Sequence, residues 1–168
     1  GRRRDAVCSN LHAGQLRAAL DVASLRSLPR YEVLQPEYNL YDRSSFDGPL
    51  RDLCVAEDIG VITYFSLAKG FLSGKYRSEA DLGQSERGEG VSSYLNARGM
   101  RILAALDAIS AKHSAKQAEV ALAWAIARPG VTAPIASATK ASQMDSLIKA
   151  AALKLTADDM HKLDKASD

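Results

Sequence analysis

The chain has 168 residues, of which 46% are apolar and 25% are charged, and its formal net charge is +2. This composition is that of an ordinary globular protein, and the charge is too small to predict nucleic-acid binding. No stretch approaches the roughly 18 consecutive apolar residues of a membrane-spanning helix. The N-terminus is charged and lacks the apolar segment of a secretory signal, so we expect a cytoplasmic protein that binds neither nucleic acid nor membrane.

The cysteines, histidines and clustered arginines give little sign of a functional site. Cys8 and Cys54 each fall inside an apolar pattern, which predicts buried, reduced thiols. The three histidines lie far apart, with no Cys or carboxylate at ligand spacing, so no metal site is predicted. The arginine run at residues 2–4 is the densest basic cluster, and at a chain end such a run predicts solvated side chains.

The first 64 residues alternate between strands and helices. Leucines on one helical face predict a helix over residues 13–23. A second helix is predicted over residues 49–57, with Asp47 as a candidate N-cap. The strands are expected at residues 6–9, 31–35 and 61–64.

A polar stretch interrupts this alternation. Residues 73–93 show no periodicity, and a loop of that length in a compact domain is more often functional or mobile than decorative. Asn96 can cap a helix that runs to about residue 112, and residues 114–117 read as the capping box of the next helix. The remaining predicted elements are the end of that helix at 128–130, a strand at 131–137, a helix over 141–152 and a last helix that opens at 156–159.

The pattern therefore contains about four βα units. Alternating strands and helices predict a parallel sheet with helices packed on it. Four units fit an open flavodoxin-like sheet, and they also fit half of a (β/α)8 barrel of about 250 residues. Periodicity does not choose between the two folds. Both place their active sites at the carboxyl ends of the strands.

One glycine-rich segment at such a strand end invites a nucleotide-triphosphate interpretation. In the segment from Gly70 to Tyr76, only three residues separate Gly70 from Gly74, where that motif needs four. Tyr76 also follows Lys75, in the place of a magnesium-binding Ser or Thr. The triphosphate loop is therefore excluded.

The strand ends together carry amides, hydroxyls, an aromatic ring, and lysines beside glycine. Amides pair with a carboxamide as donors and acceptors. An aromatic ring can stack on a flat heterocycle, and a lysine with exposed backbone N–H groups can hold a phosphate. Individually, Asn10 could instead be a helix N-cap and Gln35 could satisfy buried backbone. The four strand-end segments are residues 8–10, 35–39, 64–70 and 137–140.

Four ordered segments resemble the C-terminal half of an aldo-keto reductase. They are similar to the branch of bacterial oxidoreductases that includes potassium-channel β subunits. This resemblance implies the C-terminal half of a (β/α)8 TIM barrel, with residues 1–168 as a single α/β domain. The matching segments are "CSNLHAGQLRAAL", "LQPEYNLYDR", "GVITYFSLAKGFLSGKY" and "QAEVALAWAIARPGVTAPIASATKASQM".

The resemblance implies NADP(H) as cofactor and hydride transfer to an aldehyde or ketone. By the same resemblance, Tyr64 stacks on the nicotinamide. The residues implied to bind its carboxamide are Ser9, Asn10 and Gln35. Those implied along the pyrophosphate are Leu67, Lys69 and Gly70, and those implied at the adenosine and its 2′-phosphate are Ser137, Thr139, Lys140 and Gln143.

The sequence also departs from the family pattern. The family's catalytic Asp, Tyr, Lys and His come from its first four strands, whereas this chain matches from the fifth strand onward, so no catalytic residue is assigned. Phe65 and Ser66 replace a small residue and a proline of the phosphate loop. Ser137 replaces a common glycine, and Leu147 stands where an Asn often contacts the adenine.

Three interpretations follow. In the first, the chain is the NADP(H)-binding part of a carbonyl reductase and is inactive without its other half, so self-association or pairing with that half is expected because open sheet edges would be exposed. In the second, it is a non-catalytic nucleotide-sensing or interaction module. In the third, it is an unrelated open α/β scaffold that does not bind NADP(H).

Overall fold

The structure, a computed structural model, describes residues 6–84 and 89–168. The arginine run at residues 2–4 and part of the polar stretch lie outside this described part. The strands are β1 (Ala6–Ser9), β2 (Tyr31–Gln35), β3 (Gly60–Thr63) and β4 (Ala133–Pro134). The α-helices are α1 (Ala13–Leu25), α2 (Pro49–Ala56), α3 (Ala97–His113), α4 (Gln117–Ile126), α5 (Ala141–Ala152) and α6 (Ala157–Ser167).

The four strands form one open parallel sheet in the order β1-β2-β3-β4. A flavodoxin-like sheet reverses its order after the first two strands, whereas a barrel adds its strands consecutively. The consecutive order, with helices between the strands, is that of part of a (β/α)8 barrel. The predicted fold class is confirmed.

The register of the sheet distinguishes its two faces. Cys8, Leu34 and Val61 lie side by side and are all buried beneath the helices. One residue earlier, Val7 lies beside Val33 on the opposite face, and Val7 is 55% exposed. The sheet thus has a helix-covered face that contributes to the core and a second face that none of the described helices covers.

An aromatic cluster lies at the centre of the core. Tyr38 stacks on Trp124 with ring centroids 5.5 Å apart, and it meets Phe46 edge-on at 5.1 Å. All three side chains are fully buried. The cluster joins the segment after β2 to α4 and fixes the connection that leads out of the strand end.

Helix α6 is attached to α3 by a buried carboxylate. Asp159 is 0% exposed and accepts hydrogen bonds from Lys112 Nζ at 2.7 Å and from the backbone N–H of Thr156 at 3.0 Å. His113 Nε2 lies 2.8 Å from Asp159 Oδ2, the oxygen that also accepts from Thr156. Burial alone would raise the pKa of Asp159, but these hydrogen bonds hold it well below the ordinary value.

Two sequence predictions about the starts of helices are wrong. Asp47 does not cap α2, whose N-cap is Gly48, because its carboxylate accepts from Tyr38 and Arg43 instead, each at 2.9 Å. Ser114 does not open α4. It ends α3 at φ +51°, and Glu119 accepts from the Lys116 N–H at the start of α4.

The fourth strand is shorter than predicted, with two paired residues in place of seven. The strand starts later than predicted because the backbone N–H of Val61 donates to the side-chain hydroxyl of Thr132, at 2.9 Å. A proline, Pro134, follows within the pairing, which suits an edge strand. Beyond it, the N–H of Ile135 still donates to Thr63 O at 2.7 Å.

The polar stretch is more ordered than predicted. Two 3-10 helices, Glu79–Gln84 and Glu89–Tyr94, lie within it, and a third helical segment, Ala68–Ser73, precedes it. Val91 and Tyr94 are buried in the core. Residues 85–88 are outside the described part of the chain, so the predicted mobility remains a prediction.

Candidate functional site

The uncovered face of the sheet carries polar side chains at its carboxyl end. Ser9 lies beside Gln35 in register, two residues beyond the Val7–Val33 pair, so both point to that face. Tyr64 follows β3 and forms an isolated parallel bridge with Glu37, so its side chain points to the same face. The Ser9 hydroxyl donates to the backbone oxygen of Gln35 at 2.9 Å.

Asn10 completes this group from the first strand end. Its backbone has φ +57°, its N–H donates to Gln35 O at 3.4 Å, and its side-chain Oδ1 accepts the Tyr64 hydroxyl at 2.8 Å. Asn10 is not the N-cap of α1, a role that His12 fills by accepting from the Gln15 N–H at 3.3 Å. The four residues predicted to meet at the nicotinamide are therefore adjacent, with Asn10 turned toward Tyr64.

The loop after β3 adopts a left-handed backbone at several non-glycine positions. Phe65, Ala68 and Lys69 have φ of +49°, +48° and +56°, and Gly70 follows at +103°. Left-handed backbone at non-glycine residues stores strain and is concentrated at functional sites. Ser66 anchors the turn, because its buried hydroxyl donates to Thr63 O at 3.0 Å.

This loop forms one wall of a cleft of about 440 Å³, and the segment after β4 forms the other. Two lysines line the cleft without a carboxylate within 4 Å among residues 6–84 and 89–168. Lys69 Nζ lies 5.5 Å from the centroid of the Phe65 ring, and Lys75 Nζ lies 4.7 Å from that of Tyr76. The predicted site residues that line the cleft are Tyr64, Leu67, Lys69, Gly70, Ser137 and Gln143.

A second cavity, of about 500 Å³, lies on the other side of Tyr64. Asn10, Glu37 and Arg98 line it. Burial raises the pKa of Glu37, repulsion from Asp42 raises it further, and attraction to Lys69 opposes both. Tyr64 therefore lines both a cavity that contains Glu37, Asp42 and Arg98 and a cleft that contains Lys69 and Lys75.

The segment predicted to hold the adenosine is exposed and bonded to itself. Gln143 Oε1 accepts from Thr139 N at 2.7 Å and from Lys140 N at 3.2 Å. Lys140 is the N-cap residue of α5. Thr139 and Lys140 do not line the cleft, whereas Ser137 and Gln143 do. The structure thus lines the cleft with six of the eleven predicted residues and gathers Ser9, Asn10 and Gln35 at the strand ends beside Tyr64, whereas Thr139 and Lys140 lie outside the cleft.

Six residues that line the cleft were not among the predicted site residues: Phe65, Ser66, Ser73, Lys75, Ile135 and Ala136. A signal for Lys75 existed in the glycine-rich segment, where it follows Gly74 directly. For Phe65 no signal existed, because its exposure of 45% depends on a left-handed turn that the sequence does not announce.

Leu147 lies elsewhere, in an apolar groove between α4, β4 and α5 with Leu122 and Ile126. Within the described ranges, no group of three or more His, Cys, Asp or Glu residues is arranged to hold a metal ion. In the same ranges, no helix combines the length and apolarity that crossing a membrane requires. Cys8 and Cys54 are buried and free, as predicted.

Three known proteins show what this chain is similar to. The chain is 30% identical over 149 residues to the rice (Oryza sativa subsp. japonica) "Probable voltage-gated potassium channel subunit beta", covering 84% of this chain and 45% of that protein. It is 38% identical over 108 residues to an uncharacterized oxidoreductase of Mycobacterium tuberculosis, covering 64% of this chain and 33% of the relative. With Escherichia coli "Protein tas" the identity is 28% over 160 residues, covering 94% and 46%.

The chain thus spans less than half the length of these three relatives. A model of the Aldo/keto reductase family matches residues 1–168, the whole of the chain. This match agrees with the consecutive parallel strands and with the polar residues gathered at their carboxyl ends. The chain belongs to the aldo/keto reductase family.

Proposed function

We propose that this chain is the NADP(H)-binding part of an oxidoreductase that reduces aldehydes or ketones by hydride transfer. Family membership supports an oxidoreductase function in general. The observation that carries the finer proposal is the position of Tyr64. Its ring lies between a polar amide cluster and a cleft with two lysines that lack ion pairs among the described residues.

The residues at the site fit a dinucleotide. A cleft of about 440 Å³ is in the range of small-molecule sites and could take the phosphate-bearing part. Lys69 and Lys75 would bind the phosphates, since their charges have no carboxylate within ion-pair distance in the described ranges. Ser9, Asn10 and Gln35 would bind the carboxamide, and the Tyr64 ring would stack on the nicotinamide.

The bound cofactor would supply the hydride, and the protein would supply position and charge. Burial raises the pKa of Tyr64, repulsion from Glu37 raises it further, and the hydrogen bond to Asn10 lowers it. The net shift is upward, so the ring stays neutral across physiological pH. A neutral ring places no charge against a nicotinamide that changes its own charge during the reaction.

A fluorescence titration with NADPH tests the proposal. We expect saturable binding by the 168-residue chain, with affinity lowered about tenfold or more by Tyr64→Ala and by Lys69→Ala, because stacking and a phosphate contact each contribute about 1–3 kcal/mol. Lys165→Ala, an exposed change on α6, is the matched control and should bind as the unmodified chain does. Equal binding by all variants would contradict the site assignment.

A second candidate function is nucleotide binding without turnover. It is favoured by the relatives that carry the name of a channel β subunit. An assay of NADPH oxidation with a panel of aldehydes and ketones separates the two functions. Binding without oxidation, even after the chain is combined with the complementary part of a family barrel, would favour the second.

We also propose that the chain associates with a further half-barrel, either a second copy or a complementary segment. β1 and β4 each pair on one side only within the described residues. Val7 and Ile135 are 55% and 43% exposed beside these edges. Unpaired strand edges and exposed apolar side chains favour association.

A further inference from the structure

Helix α1 follows the edge strand β1 and has one side turned toward the unpaired edge of that strand. Arg17 marks the opposite side, next to α2, because its Nη1 lies 2.8 Å from a carboxylate oxygen of Glu57, the C-cap residue of α2. Val22 lies about 140° around the helix from Arg17, and its side chain is exposed. The side of α1 that faces the open edge, here called the α1 face, consists of Gln15, Ala19, Val22 and Arg26.

Helix α5 follows the other edge strand, β4, and has an uncharged side. Ser146 marks the side next to α4, because its Oγ accepts from Nζ of Lys116, the N-cap residue of α4, at 3.1 Å. Ile148 lies about 160° around the helix from Ser146, and its side chain is exposed. Spacings of three and four residues define this side, here called the α5 face, as Met144, Leu147, Ile148 and Ala151.

An apolar groove of about 370 Å³ extends from the α5 face to the edge strand. Residues of β4 and its flanks form its floor, and α4 and α5 form its walls. None of its nine lining residues is charged, and Thr132 is the one with a polar side chain. The β4 edge therefore carries an apolar surface that an uncharged helix face could cover.

We propose that the α1 face of a second copy of this chain covers the α5 face and its groove, so that two copies pair as two half-barrels. In this pair, β1 of each copy lies beside β4 of the other, and the two contacts are identical by two-fold symmetry. This inference rests on the association proposed above. It commits that association to a second copy and to these two helix faces.

The connectivity of the sheet brings the two faces together. Helices α1 and α5 each run back from the end of their own strand over the helix-covered side of the sheet. Parallel pairing of β1 in one copy with β4 in the other therefore sets these helices side by side in the same direction. Four strands from each copy make eight, the number at which a parallel barrel closes and no strand edge remains. Arg26 is the one charged residue of the two faces, so no pair of like charges opposes their contact.

The exposed apolar side chains at the two edges are sufficient for a stable pair. At about 100 Å² for a fully exposed side chain, covering the large ones in both copies removes roughly 600 Å² of apolar surface from water. Since about 60% of an interface is apolar, the whole contact would bury about 1,000 Å², the lower limit for a specific interface. The six side chains in this estimate are 38–64% exposed, and they are Val7, Val22, Ile126, Ile135, Met144 and Ile148.

Sedimentation of the 168-residue chain without ligand tests the pairing. We expect a concentration-dependent species of twice the 18.0 kDa mass of one chain. Val22→Glu and Ile148→Lys each place a charge in both contacts and should raise the dimer Kd about tenfold or more, because the charge would be buried without a partner. Val55→Glu, at an exposed valine on α2 between the two edges, is the matched control and should leave the Kd unchanged.

Mixing the two charged variants gives a readout that loss of folding would not reproduce. A pair with one copy of each has one unmodified contact, and in its other contact the introduced carboxylate faces the introduced ammonium group. We expect the mixture to associate about fivefold more tightly than either variant alone. A mixture that associates no better than the separate variants overturns the contact between the α1 and α5 faces.

The partner itself is tested by the unmodified chain. A chain that stays monomeric alone and pairs only with a complementary segment of a family barrel overturns the second copy as partner, while the association proposed above stands. A chain that pairs with neither contradicts both. Because no ligand is present, none of these results depends on the proposed binding of NADP(H).

Discussion

The guanidinium of Arg128 lies 2.9 Å from the carboxylate of Asp164 and thereby ties the segment after α4 to helix α6. Its Nε also donates to the Tyr38 hydroxyl at 3.1 Å, and its Cζ lies 5.2 Å from the Trp124 ring centroid. The group is thus part of the aromatic core as well as of an ion pair. Its loss would leave the Asp164 carboxylate with the Trp124 N–H and Arg43, and the Tyr38 hydroxyl with Asp47 alone.

Arg128→Ala should therefore lower the free energy of unfolding by about 2–4 kcal/mol, because it removes a largely buried ion pair, a hydrogen bond to Tyr38 and the contact with the Trp124 ring. Urea unfolding at pH 7 measures the change. Arg17→Ala removes an exposed pair to Glu57 and should cost less than about 1 kcal/mol. Equal costs for the two changes would show that Arg128 adds no more than a surface ion pair.

The buried carboxylate of Asp159 should make stability depend on acid pH. Its pKa is held below the unfolded-state value, so its contribution is complete above that value, near 4, and is lost as pH falls through the lower folded-state pKa. Asp159→Asn should cost about 2–4 kcal/mol at pH 7. The difference from the unmodified chain should shrink steadily below about pH 4. A difference independent of pH between 2 and 7 would contradict the assignment of this group.

Gly99 occupies a position that admits no side chain. A Cβ there would lie 1.9 Å from Tyr94 O and 2.9 Å from the Phe71 ring, at the start of α3. Gly99→Ala should destabilise the chain by about 3 kcal/mol or more, since backbone must move to accommodate it. Gly83→Ala, where nothing lies within 4 Å, is the control and should change the unfolding midpoint little.

The two thiols should react slowly in the folded chain. Burial, together with a smaller contribution from the nearby Cys8, raises the pKa of Cys54 to about 11. Burial also raises the pKa of Cys8. At pH 8 both are therefore thiols rather than nucleophilic thiolates. An aromatic disulfide reagent should label both cysteines only along the urea unfolding transition. Fast labelling of either one in the absence of urea would contradict their burial.

Association should depend on the uncovered face of the sheet. Val7→Lys introduces a charge at an exposed apolar position beside the β1 edge and should weaken association measured by analytical ultracentrifugation. Leu25→Lys is the matched control, as Leu25 is also exposed but lies at the end of α1. A stable monomer at high concentration, with no response to a complementary half-barrel, would contradict the pairing proposal.

Local sequence signals predicted the fold well where the structure depends on them. β1 and β2 begin and end as predicted, because alternation and Pro36 act within a few residues. Asn96 and Thr156 cap their helices as expected, accepting from N–H groups three residues ahead. The predictions at Asp47 and Ser114 failed because distant groups, or the end of the preceding helix, determine what these side chains do.

The site was predictable in part for the same reason. Ser9, Gln35 and Tyr64 follow from strand ends, which a parallel sheet brings to one edge. The left-handed turn over Phe65 and Lys69 carries no sequence signal, since glycine is the residue that normally marks such a backbone. Because the sequence does not predict this turn, it predicts neither the exposure of the Phe65 ring nor the contact of Lys69 with that ring.

The two ends of the candidate site, the strand-end cluster and the segment after β4, are built in different ways. Ser9, Asn10 and Tyr64 are tied to one another through the ends of three strands, whereas Gln143 satisfies only its own neighbours, Thr139 and Lys140. Substitutions at one end should therefore alter ligand affinity independently of substitutions at the other, with additive free energies. Under the proposed function, evolution could change the preference for a phosphorylated or unphosphorylated adenosine by altering this short exposed segment, while the strand-end cluster stays the same.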